Sequence, residues 1–134
     1  MNYWLVKSDP KEYGWEDLVK EKEAMWDGVR NYQARNNLKE MKKGDLVFVY
    51  ESQGPREIRG IAEVAKAAYQ DPTTKDDRWV AVTLKVKKAL KKPISLQEIK
   101  AETSLKHMKL VNQSRLSVMP VTRQEWEAIL KLSR

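Results

Sequence analysis

Leu46-Val-Phe-Val-Tyr50 is an unbroken apolar run of β-branched and aromatic residues, entered through the turn Lys43-Gly44-Asp45. Without polar alternation, a run this short reads as a strand covered on both faces and therefore central in its sheet. Upstream, Ala34, Leu38 and Met41 share one face of an amphipathic helix over Asn31–Met41. Before it, Trp15, Leu18 and Val19 mark a two-turn helix, and NYWLVK over residues 2–7 has strand composition ended by Asp9-Pro10. Downstream, Ile58–Tyr69 is ambiguous: EVAKAA favours a helix, whereas Ile58, Ile61 and Val64 suit a strand bent at Gly60, the reading adopted. Val80, Val82, Leu84 and Val86 alternate with Ala81, Thr83, Lys85 and Lys87, so one strand face is buried and the other wet. Two capping boxes, Ser95…Glu98 and Thr122…Glu125, open the later helices. The second helix carries Trp126, Ile129, Leu130 and Leu132 as a face that must dock on the sheet. The pattern predicts one α+β domain over residues 1–134, with few, hairpin-connected strands forming a small barrel.

Composition narrows the chemistry. No cysteine and a single histidine, His107, among 134 residues argue against thiol catalysis, a zinc site or a Ser-His-Asp triad. The five glycines are scattered, and none forms a phosphate-binding loop. Asp76-Asp77 reads as a solvated loop, so neither a metal nor another cofactor is expected. No stretch approaches the roughly 18 apolar residues of a spanning helix, and charges stand where a secretory signal would be apolar. A cytoplasmic, monomeric protein without membrane contact is expected.

The net charge is +7, yet residues 1–24 hold six acidic and four basic groups, so the positive excess lies downstream. A field of this sign attracts polyanions. Its densest run is Lys85, Lys87, Lys88, Lys91 and Lys92, either an outer phosphate track or lysines that solubilise an edge strand. Five tryptophans and five tyrosines stand against one phenylalanine. Rings with a polar handle suit a stacking site. Trp126 has core spacing and Trp15 suits stapling of its short helix, whereas Trp26 and Trp79 lie beside loop residues and charges and are the candidate stacking rings.

Four stretches, in order, carry a resemblance: NYWLVKSDP from Asn2, WDGVRNYQARNNLKEMKKGD from Trp26 to Asp45, VFVYES ending at Ser52, and QSRLSVMPVT from Gln113 to Thr122. From Asn2 to about Ile129 the chain resembles the EVE domain family of the PUA-like superfamily. The resemblance implies a small twisted β-barrel with surrounding helices and a pocket at one end. In the related YTH and SRA-type modules such a pocket holds a flipped base of RNA or DNA. It further implies a non-enzymatic module that binds nucleic acid and recognises a modified base. An RNA-binding module serving RNA modification or translation, and an enzyme acting on a nucleobase-like molecule, remain open as alternatives.

The base pocket implied in this way takes Lys7, Ser8 and Asp9, because a similar Lys-Ser-polar turn lies beside the base in YTH modules. Trp26 becomes the stacking platform, Trp79 the second candidate, and Asp27 either an acceptor for an exocyclic amino group or a loop cap before Gly28. Tyr50 and Ser52 stand at the pocket rim, where the family usually has Tyr-His-Ser; Glu51 replaces the histidine and adds a negative charge near the entrance. Arg30, Asn31 and Arg35, with Ser114, Arg115 and Ser117, are the expected phosphate contacts and pocket wall. For Asn31 a helix cap, for Arg35 an internal ion pair and for Arg115 a buried structural role are the competing readings.

Overall fold

The computed structural model describes residues 1–134. Its strands are β1 (Tyr3–Ser8), β2 (Glu23–Trp26), β3 (Leu46–Glu51), β4 (Glu57–Gln70), β5 (Val80–Ser95) and β6 (Val118–Val121). They form one sheet in the order β2-β5-β4-β3-β1-β6. The helices are α1 (Pro10–Tyr13), α2 (Trp15–Glu21), α3 (Tyr32–Glu40), α4 (Leu96–Ala101), α5 (Lys109–Asn112) and α6 (Arg123–Leu132), with a 3₁₀ turn at Thr103–Leu105. The fold is mixed α+β. β2 and β6 share no ladder, so the sheet is open where a closed barrel was expected. No helix is long and apolar enough to cross a membrane.

β3 is central, and Val47 through Glu51 are buried without a break. Its Phe48 ring stacks on Trp126 with centroids 3.7 Å apart, and Tyr3 stacks on the same indole at 4.6 Å. That aromatic stack fastens α6 to the sheet. Trp126 and Ile129 are buried there, but Leu130 and Leu132 are only half-buried, because the helix turns them toward its flank.

Two strand expectations are corrected. β1 and β3 pair in parallel, Tyr3 opposite Leu46 through Ser8 opposite Glu51, so the sheet is not built of hairpins alone. Residues 9–45 supply the long crossover, with three helices, that a parallel pair requires. β5 runs well beyond Lys87 to Ser95. β2 flanks it only from Val82 to Lys85, so later residues have one ladder partner, a setting that tolerates Pro93 and favours lysines. β2 and β6 themselves had no counterpart in the sequence reading.

Ile58–Tyr69 is strand, and β4 changes register against β5 at four places, one of them between Ile58 and Gly60. The glycine has a stronger reason than the bend. A Cβ on Gly60 would lie 2.2 Å from Cζ2 of Trp15, so the strand is bare there to seat the buried indole. Both capping boxes form, and Asn31 accepts from the Ala34 amide at 2.9 Å to start α3.

Candidate functional site

β1 ends in the middle of the sheet, and its last residues open onto two clefts that share Lys7, Ser8 and Asp9. The parallel partner β3 fixes this end: Ser52 donates to the Ser8 carbonyl from its amide at 2.9 Å and from its hydroxyl at 3.1 Å. On the other side the Lys7 amide donates to the Ser117 carbonyl at 2.9 Å. Pro10 then starts α1 at once, and the Asp9 carboxylate accepts from the Lys11 amide at 3.0 Å. The tight turn brings Glu12 and Tyr13 back beside the strand end.

The first cleft, about 410 Å³, is aromatic. Trp26, at the end of β2, forms one wall half-buried, and Tyr13 meets it edge-on with centroids 6.1 Å apart and planes at 84°. Glu12, Met25 and Asp27 complete the lining. The Tyr13 hydroxyl donates to Glu21 at 2.6 Å. Burial, with the neighbouring Glu21 carboxylate, pushes that phenol well above its ordinary range. Ser8 is 7% exposed, and its hydroxyl has no hydrogen-bond partner.

The second cleft, about 540 Å³, gathers Tyr50, Ser52, Ser114, Arg115 and Ser117 with Gln53 and Arg56. The Lys7 ammonium donates to the Ser114 carbonyl here at 2.7 Å, and burial lowers its pKa. Arg115 is exposed, against a buried structural role, and neither it nor Arg56 is engaged by an acid. Burial raises the Tyr50 phenol pKa, with the Arg56 charge pulling the other way. Asn31 lies beside Ser114 and Arg115 in a small adjoining depression.

Other candidates sit elsewhere. Trp79 lines neither cleft; it pairs with Tyr32 at 5.2 Å, under the Arg30 guanidinium at 5.5 Å. Arg30 is tied to Asp71 at 3.0 Å and to Thr73. Arg35 bonds Asn36 and the Arg78 carbonyl and covers the Tyr32 ring, so its partners are internal, though not an ion pair. Asp71 also accepts from the Gly28 amide at 2.8 Å and so anchors the turn after Asp27. Burial would raise its carboxyl, but bonds from Thr73, Gly28 and Arg30 outweigh this and hold it at about 2.

Glu51 is corrected outright. It is buried, faces away from the rim, accepts from the Trp15 amide at 3.0 Å and pairs with Arg59 at 2.9 Å. Strand alternation is the reason: Tyr50 and Ser52 share a face and Glu51 takes the other. In the lysine run, Lys85 and Lys87 face Glu63 and Lys92 faces Glu98, which leaves Lys88 and Lys91 without acidic partners. Tyr13, Glu12 and Arg56 were missed from sequence. The Asp9-Pro10 turn, a helix start tied to a strand end, was the available signal for the first two.

A family model described as EVE domain matches residues 2–132. Thymocyte nuclear protein 1 of Mus musculus is 36% identical over 98% of this chain and 73% of its own length. The crystal structure of human THYN1 in complex with 5-methylcytosine-containing DNA is similar with a TM-score of 0.94, at 32% identity over 100% of this chain and 98% of that one. The YTH domain of Zygosaccharomyces rouxii MRB1, solved in complex with N6-methyladenosine RNA, shares the fold at a TM-score of 0.64 and 16% identity, covering 99% of this chain and 86% of that one.

Proposed function

Because the chain belongs to the EVE domain family, we propose that it is a non-enzymatic nucleic-acid-binding module that receives one modified or flipped base in the cleft between Trp26, Tyr13 and Ser8. The carrying observation is the Ser8 hydroxyl, buried at the cleft and unpaired. A buried hydroxyl without a partner costs about 1–3 kcal/mol. A base edge in the cleft would remove that cost while its ring lies against the Trp26 indole. The complex of the human relative with methylcytosine DNA favours DNA as the partner. Lys7, Arg56 and Arg115 in the second cleft suit the phosphates beside the extruded nucleotide.

The test is a panel of matched DNA and RNA oligonucleotides with and without the modified base, against the native chain and Trp26→Ala. Stacking on an aromatic ring is worth about 1–3 kcal/mol, so the variant is expected to bind the cognate strand roughly tenfold or more weakly. Circular dichroism checks that it remains folded. A folded Trp26→Ala protein with undiminished discrimination between modified and unmodified strands overturns the assignment.

A further inference from the structure

The aromatic cleft inverts the charge of the molecule around it. The chain carries +7, but the cleft presents Asp9, Glu12 and Asp27 against one lysine. That lysine is turned away, its ammonium held by the Ser114 carbonyl in the other cleft. Asp9 is engaged as the α1 cap, whereas Glu12 and Asp27 have neither an ion-pair nor a hydrogen-bond partner. Tyr13, edge-on to Trp26, donates its hydroxyl to Glu21, and this leaves its ring richer in electrons. Two electron-rich rings and two free carboxylates attract a cation and repel a phosphate. The unpartnered Ser8 hydroxyl in the same wall is a second, independent feature, a polar group that a ligand's edge would satisfy.

The neighbouring cleft has the opposite character, with Arg56 and Arg115 at its rim and the Lys7 ammonium inside. Both clefts meet at Lys7, Ser8 and Asp9. A ligand that spans them carries positive charge at one end and negative at the other. We infer that the aromatic cleft selects a positively charged nucleobase, one alkylated on a ring nitrogen, whose own phosphate lies on the arginine side. This rests on the reading of the cleft as a base pocket and names the class of base. Cationic rings gain from Trp26 and Tyr13 what a neutral methylated base does not.

The test titrates the full chain with two pairs of isomeric nucleosides: 3-methylcytidine against 5-methylcytidine, and 1-methyladenosine against N6-methyladenosine. In each pair the first is cationic at neutral pH and the second is not. Isothermal calorimetry is expected to show the cationic isomer at least ~10-fold tighter. That preference should shrink with added salt and vanish in the Glu12→Gln/Asp27→Asn double variant, with circular dichroism checking that the variant remains folded. Equal or tighter binding of the neutral isomers, or a preference that survives the double variant, overturns the inference. So does tighter binding of a trimethyl-lysine peptide than of either cationic nucleoside. These failures leave the base-pocket reading intact if oligonucleotide binding still depends on Trp26; loss of that dependence overturns both.

Discussion

Ser8→Ala is expected to move stability and binding in opposite directions. The hydroxyl is buried and unpaired, while the Ser8 backbone bond to Ser52 does not involve the side chain. Leaving such an oxygen unsatisfied costs about 1–3 kcal/mol; removing one small atom leaves a void that returns part of it. A net gain of about 1 kcal/mol follows for the free protein, or roughly 3–5 °C in Tm at this chain length. In the complex, the variant loses one neutral hydrogen bond worth about 0.5–1.5 kcal/mol, so affinity for the cognate base falls about two- to twelvefold. Differential scanning calorimetry of the free chain and fluorescence anisotropy with the cognate strand measure the two effects on one preparation. A lower Tm for Ser8→Ala would mean that the hydroxyl is satisfied in the free protein. The argument that a ligand completes it would then be refuted.

Gly60→Ala should destabilise the fold by about 3 kcal/mol in urea melts, since its Cβ would lie 2.2 Å from the buried Trp15 ring, near the upper end of ordinary overpacking. Asp71, held at about 2 against 3.8, stabilises the folded state in full above about pH 4 and loses that contribution as the pH falls through 2. Asp71→Asn is expected to cost about 1–3 kcal/mol at pH 7 and to flatten the acid limb of stability against pH, read by denaturant titrations. If Lys88 and Lys91 track phosphates, replacing both with Gln should reduce the slope of log K against log salt by about one per contacted phosphate. Modified and unmodified strands would weaken alike in anisotropy titrations, and an unchanged slope would show that these lysines only solubilise the strand edge.

Features that depend on near neighbours were legible in the sequence. The capping boxes at Ser95 and Thr122, the Asn31 cap and the buried run of β3 follow from spacing within a few residues. The parallel pairing of β1 with β3 was hidden, because nothing local records which strand returns beside which. β2 and β6 were hidden for another reason. Each is four residues at an edge, one alternating between exposed and half-buried, the other interrupted by Pro120. Gly60 was found at a bend but not explained, since its explanation is an indole arriving from residue 15. Glu51 was misplaced although strand alternation alone puts it opposite Tyr50 and Ser52.

Ring chemistry sorted the tryptophans by their flanks: Trp15 and Trp126 are buried, Trp26 and Trp79 half-buried. It could not say that only Trp26 meets the strand end, because Trp79 reaches its partner Tyr32 through the return of the β4–β5 hairpin. The acidic balance of residues 1–24 was visible as a number and silent as a site until α1 folded back along β1. Its placement has a physical consequence. A long-range positive field draws a polyanionic strand to the surface from any orientation, whereas carboxylates around the rings oppose entry of a phosphate at close range, where screening is least effective. With Arg56 and Arg115 on the far side of the same strand end, the arrangement favours a nucleotide that enters base first, its backbone held outside the aromatic cleft.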